Sequence, residues 1–193
     1  MFALQFLNQQ LYDVLYQDIL EFRLTFDLPT EDANSMGAVT DTLHTSLIVE
    51  ELTELADADN LTEQADAIID SVYVLMGRQV HIGAHQISDN IGICYFIDVL
   101  LQVAETKQID FLACWKEIHS SNMSKACPDQ DTVNRTIAHY ANQGIAASGN
   151  AKGDYHIVKC ARDTTVDAKT IKQGKVLKSI DYHPASLREI LTR

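Results

Sequence analysis

Two groups of carboxylates crowd into one short stretch of this chain: Glu50, Glu51 and Glu54, then Glu63, Asp66 and Asp70. If both segments are helical, each residue advances by about 100°, and with Glu51 at zero Leu47 lies near −40°, Leu55 near +40° and Ile48 near +60°. Glu51 therefore points inward. Glu54 lies near −60°, and Glu50, near −100°, sits at the edge of the apolar stripe. Glu63, Asp66 and Asp70 fall within about 60° of one another, and Tyr73 and Gly77 continue the same face. Like charges at this spacing repel by ~0.2–0.5 kcal/mol per pair on a wet surface, and more when buried. A hard divalent cation resolves that repulsion, and Mg²⁺ in particular takes oxygen ligands and bridges carboxylates to phosphates. The plain alternative is two solvated acidic helix faces. Two inward sets so close in sequence argue against it.

The elements that must position these residues follow from hydrophobic spacing. Leu4, Leu7, Leu11, Val14, Leu15, Ile19 and Phe22 recur with helical period and predict a first helix ending near Asp27-Leu28-Pro29. Residues 30–39 form a polar loop, and Thr40 or Asp41 can cap the helix of the first acidic set, which stops around Asp57 to Asn60. Thr62 precedes the second acidic helix, which runs to about Gly83. Residues 88–105 read as an apolar helix, and Asp110 can cap a further one through Lys125. On that helix Asn122 shares a face with Trp115, Ile118, His119 and Ala126. A buried Asn needs hydrogen-bond partners, so it meets either a backbone group or a ligand. His119 and Trp115 read as structural.

After Cys127-Pro128 the pattern shifts to a short helix at 131–143, a Gly/Ser/Asn/Ala stretch at 144–153, and two strands, 155–160 and 174–178, which pair as a β-hairpin. A last helix is expected from Pro184 to Leu191. These elements suggest an all-α catalytic helical domain over 1–126 and an appendage over 127–193 packing on it. A chain of 193 residues with 46% hydrophobic content suits one compact domain of this kind.

The net charge of −12 disfavours a nucleic-acid polymer or an anionic membrane as partner. It is unevenly spread: residues 1–144 hold 6 Lys+Arg against 22 Asp+Glu, and residues 145–193 hold 9 against 5. An acidic body with a basic tail suits a polyanionic substrate. Cys94, Cys114, Cys127 and Cys160 form no Cys-x-x-Cys pair, so reduced thiols in a cytoplasmic protein are expected and a zinc site is not. The N-terminus lacks the basic region of a signal peptide, and no uninterrupted apolar run reaches membrane-spanning length. Asp57-Ala58-Asp59-Asn60 begins like a calcium loop, but Thr62 and Ile68 stand where Gly and Glu are required.

Three stretches carry a family resemblance: Glu50-Glu51-x-x-Glu54 with Glu63-x-x-Asp66-x-x-x-Asp70 running into Tyr73 and Gly77; Trp115 through Ser121-Asn122-Met123-Ser124-Lys125; and Gly174-Lys175-Val176-Leu177-Lys178 through Tyr182-x-Pro184. In this order they resemble the MazG-like and phosphoribosyl-ATP pyrophosphohydrolase-like all-α nucleotide pyrophosphohydrolases. The resemblance implies an all-α bundle with a small β-hairpin appendage. It also implies Mg²⁺-dependent cleavage, with Mn²⁺ as a substitute, of a nucleoside triphosphate between its α and β phosphates. By the same resemblance Glu51, Glu54, Asp66 and Asp70 are the metal ligands and catalytic carboxylates, with Glu50 and Glu63 as further ligand candidates. Asn122 and Lys125 meet the nucleotide or its phosphates. Lys175 and Lys178 can close over the triphosphate, or be ordinary surface lysines. A homodimer or homotetramer is expected, with house-cleaning of non-canonical or deoxynucleotides as the role. A dUTPase- or dCTPase-like specificity on the same scaffold is the narrower reading, and a non-catalytic helical metal-binding or interaction module is the reading from another class.

Overall fold

The computed structural model describes residues 3–166 and 169–192. Among them seven α-helices form: α1 (Gln9–Thr25), α2 (Ala38–Asp57), α3 (Leu61–Ile82), α4 (Ile91–Thr106), α5 (Phe111–Met123), α6 (Gln130–Asn142) and α7 (Arg188–Leu191). Five short strands lie between α6 and α7: β1 (Ala147–Lys152), β2 (Tyr155–Cys160), β3 (Thr164–Val166), β4 (Lys169–Ile171) and β5 (Val176–Leu177). The fold is thus mainly helical with a small antiparallel strand region toward the C-terminus. The described chain divides into two compact units. One takes in the stretch up to Leu24, Pro29–His119 and the chain from Ala185 onward; the other takes in Thr25–Leu28 and Ser120–Pro184.

In the first unit α3 supplies the centre of the core. Ile68, Ile69, Val72, Met76 and Val80 are fully buried, and each such side chain contributes about 1.5–3 kcal/mol relative to an exposed one. Tyr12, Leu15 and Ile19 of α1, Ile97 and Ala104 of α4, and Cys114 and Trp115 of α5 complete the cluster. Ser71 Oγ on α3 is buried without a hydrogen-bond partner among the described residues, whereas the polar atoms of Trp115 and Tyr12 are matched: Trp115 Nε1 donates to Asp18 Oδ2 at 2.7 Å, and Tyr12 Oη donates to the Ala84 carbonyl at 2.6 Å while accepting Gln79 Nε2 at 3.2 Å. Trp115 is therefore core, as expected from its spacing.

The first helix begins at Gln9, not at Leu4. Asp98, buried on α4, accepts the Gln5, Phe6 and Leu7 amides at 2.7–3.1 Å, which holds residues 5–7 in a bend before the helix. That same aspartate interrupts Ile87–Thr106, a segment long and apolar enough on average to cross a membrane by length and composition. Here Cys94, Ile97, Leu100, Leu101 and Ala104 face the core instead. Asp110 does cap α5, accepting the Ala113 amide at 3.0 Å.

In the second unit α6 lies on a three-stranded antiparallel sheet of order β1-β2-β5. The register pairs Ala147 with Cys160 through Lys152 with Tyr155, and Val158 with Leu177. Strand β2 does pair with β5, but the hairpin partner of β2 is β1, joined through Gly153 at φ 55°. A second ladder, β3 with β4, separates β2 from β5 in the chain. Gly149 on β1 is required by close approach, because a Cβ there would collide with Val133 Cγ1 of α6. Cys127, Val133, Ile145, Val158, Cys160 and Leu177 form this unit's core.

Candidate active site

Helices α2 and α3 form an antiparallel pair joined by three residues, and local chemistry fixes both ends of the turn between and behind them. Asn60 caps α3, its Oδ1 accepting the Glu63 amide at 3.0 Å, and Glu63 Oε2 reaches back to the Asp59 amide at 2.9 Å. The two bonds satisfy donors that the helix start leaves open. Gly83 closes α3 in the left-handed region at φ 73°, a conformation that only glycine adopts without cost. Helix α2 begins at Ala38 with Gly37 at the N-cap, so Thr40 and Asp41 lie inside its first turn and not at the cap. Asp41 instead pairs with Arg78 near the end of α3 at 2.6 Å. Thr62 likewise falls inside α3, one residue past its start.

The acidic residues meet at the end of the pair near the turn. Thr53, Glu54, Asp57, Ala58, Glu63, Asp66 and Ala67 line an open groove of about 270 Å³. Glu51 is half-buried one turn before Glu54, with Ile48, Leu52 and Leu55 around it packed on the core. Burial, then Glu54, Glu50 and Asp66 in that order, push its carboxyl up to about 7. Desolvation and then Glu54 also raise the Asp66 carboxyl. Glu50 is exposed, and Asp70 is half-buried one turn beyond Asp66 on α3.

Among the described residues no three His, Cys, Asp or Glu side chains stand together as a metal cluster. The donor set nevertheless suits a hard cation: it is entirely carboxylate oxygen, Glu54, Asp57, Glu63 and Asp66 line one groove while Glu50, Glu51 and Asp70 lie outside its lining, and burial and then neighbouring negative charge raise Glu51 and Asp66. A soft metal would find neither thiolate nor imidazole in the lining.

The opposite end of the same helix pair was not marked by the carboxylate pattern. His44, two turns before Glu51 on the same face of α2, is buried, and its Nε2 meets His81 Nδ1 at 2.9 Å. Ser35 Oγ donates to the Asp32 carbonyl, so His81 Nε2 donates to Ser35 Oγ at 2.7 Å and His81 Nδ1 accepts from His44. Both imidazoles are then neutral. Burial first, and next Arg23, push His44 down to about 4 and lower His81 as well. Asp57 and Thr53 in the groove lining were also not singled out by spacing. The heptad separation of His44 from Glu51 was the available signal for the histidine.

His119 accepts or donates at Tyr73 Oη, 3.1 Å away, and lies 3.5 Å from Glu21, which fits its structural reading. The remaining candidates belong to the second unit. Lys125 Nζ donates to Asn122 Oδ1 at 2.6 Å. The Lys178 ammonium sits 4.1 Å over the Tyr182 ring, and Lys175 is exposed, its carbonyl accepting the Cys160 amide.

The mainly helical fold resembles the MazG-like all-α NTP pyrophosphohydrolase type. Residues 19–92, which hold α2 and α3 entire, match the family model of phosphoribosyl-ATP pyrophosphohydrolase. The family supports a nucleotide pyrophosphohydrolase-like activity. No curated protein and no solved structure matches the chain.

Proposed function

We propose that this protein is a Mg²⁺-dependent nucleoside triphosphate pyrophosphohydrolase, converting a nucleoside triphosphate and water to the monophosphate and pyrophosphate. The acidic groove between α2 and α3 carries this reading: concentrated carboxylates with a raised Glu51 form an electrostatic debt that a phosphate-bound cation cancels. Glu51, Glu54, Asp66 and Asp70 would hold the ion, with Glu50 and Glu63 at the rim. When bound, Mg²⁺ or Mn²⁺ supplies neutralisation of phosphate charge. Glu51, half-buried against Ile48 and Leu55, is suited to orient the attacking water and accept its proton. Asn122, Lys125, Lys175 and Lys178 are proposed to meet the nucleotide and its outer phosphates. The role is house-cleaning of non-canonical or deoxynucleotides in the cytoplasm, by an oligomer of identical chains.

Product identity tests the reaction. Canonical, deoxy and modified triphosphates are incubated with Mg²⁺ and followed by phosphorus NMR. Pyrophosphate is expected as the first product, with turnover lost on chelation and in Glu51→Gln or Asp70→Asn. Orthophosphate as the primary product, or undiminished hydrolysis in either variant, would overturn the reading. Activity confined to a deoxyuridine or deoxycytidine triphosphate would select the narrower specificity.

A further inference from the structure

Arg23 on α1 is a cation in the first unit with no part in the reaction proposed above. Only 8% of it is exposed, and its Nε donates to the Pro29 carbonyl at 2.7 Å. Among the described residues no carboxylate lies within ion-pair distance of the guanidinium, and neither terminal nitrogen makes a hydrogen bond. Burial lowers its pKa to about 10, which leaves it charged at neutral pH. A largely buried charge without an ion-pair partner is costly, and its terminal nitrogens, which are not among the buried atoms without a partner, keep access to solvent. A chain with 27 Asp and Glu against 15 Lys and Arg could readily have supplied a carboxylate here.

The location of Arg23 says what the partner is. The Cβ position of Gly77 lies 3.7 Å from Arg23 Nη1, so the guanidinium stands beside α3 at Gly77. Gly77 is two turns beyond Asp70 on the same face of α3, about 10 Å along the helix axis. His44, which feels the Arg23 charge, is likewise two turns from Glu51 on the same face of α2. The α2–α3 pair thus carries carboxylates concentrated in a groove at one end and, beside Gly77 toward the other, a guanidinium with no ion-pair partner among the described residues.

We propose that Arg23 is a nucleotide-binding residue, its terminal nitrogens taking an acceptor oxygen of the substrate beside Gly77. The inference rests on the pyrophosphohydrolase reading. Phosphate oxygens and base carbonyls share the required chemistry, since a guanidinium fork bonds either. His44 Nε2 bonds His81 Nδ1 and His81 Nε2 bonds Ser35 Oγ, and an imidazole carries no negative charge to offset Arg23.

The test measures dissociation constants of Mg²⁺ complexes of α,β-methylene nucleoside triphosphates and of inorganic pyrophosphate, alongside thermal unfolding, for the wild type, Arg23→Gln and Arg23→Lys. Arg23→Gln is expected to weaken triphosphate binding by about tenfold or more, the worth of a charge-assisted hydrogen bond, with Arg23→Lys in between. Equal weakening of pyrophosphate and every triphosphate places the contact on a phosphate. Weakening restricted to certain bases, with pyrophosphate unchanged, places it on a base carbonyl. Triphosphate affinities within about twofold of wild type in both variants overturn the inference, and a lowered unfolding temperature with them would make Arg23 a brace for the Pro29 carbonyl. Should Arg23→Gln fail to fold, Arg23→Lys decides alone, because it keeps the charge and loses the fork. A wild type that binds neither triphosphate nor pyrophosphate overturns the pyrophosphohydrolase reading itself, and this inference with it.

Discussion

At the residue scale Glu51 links stability to the cation. Its folded pKa of about 7 lies above the ordinary 4.5, so between those values the native state binds more protons than the unfolded chain, and stability falls as pH rises. The loss is complete above the folded pKa. In chelator-treated protein at pH 8, Glu51→Gln should therefore raise stability by roughly 1 kcal/mol, after discounting the shift for solvent screening of a half-buried group. At pH 4 the two proteins should unfold alike, since the wild-type carboxyl is then protonated. Differential scanning calorimetry at both pH values checks this, and an equal gain at pH 4 would assign the effect to packing instead of charge. Helical phase puts Glu51 inward, and it is half-buried, but of the two sets read as inward Glu54, Glu63 and Asp66 are exposed, because the pair's open end near the turn leaves them in solvent. Arg23, His44 and His81 were not legible in the sequence, because a lone basic residue on a mixed helix face carries no pattern and acquires meaning only from what stands beside it.

At the element scale the helix pair α2 and α3 is joined at one end by a capped turn and at the other by the Asp41–Arg78 ion pair and the His44–His81 bond. His44 has its folded pKa lowered from 6.5 to about 4, burial being the main cause. Between those values the unfolded chain binds more protons, so its contribution rises with pH and is lost on acidification from 6.5 towards 4, opposite in sign to that of Glu51. His44→Leu should flatten the fall in unfolding temperature over that window, and an unchanged slope would show that the pair does not resist protonation. The helices were largely legible because the 3.6-residue period is strong in them. The start of α1 was not, since it is set by Asp98, more than ninety positions away, drawing in the Gln5, Phe6 and Leu7 amides. Strand β1 was also hidden: Ala-Ser-Gly-Asn-Ala-Lys has no β-branched or aromatic residue, and pairing with β2 and closeness to Val133 override that composition.

At the scale of the whole molecule the exposed apolar side chains call for a partner. Helix α2 runs for twenty residues yet buries only His44, while Val39, Leu43 and Val49 on it are 86%, 56% and 57% exposed. Phe96 and Val99, three apart on one face of α4, are 61% and 55% exposed. Each such side chain gains about 1.5–3 kcal/mol on full burial, and a lasting interface needs roughly 1,000 Å² or more of such surface. A second copy of the chain is the partner proposed here. Sedimentation velocity at micromolar concentration should show a dimer or larger species, and Leu43→Glu or Phe96→Glu, each placing a charge where apolar contact is required, should yield monomers with unchanged helical circular dichroism. A monomeric wild type at that concentration would overturn the expectation. If Leu43→Glu alone dissociates the assembly, the interface runs along α2, the helix that also carries Glu50, Glu51 and Glu54, and assembly and metal affinity should then weaken together in the same variant.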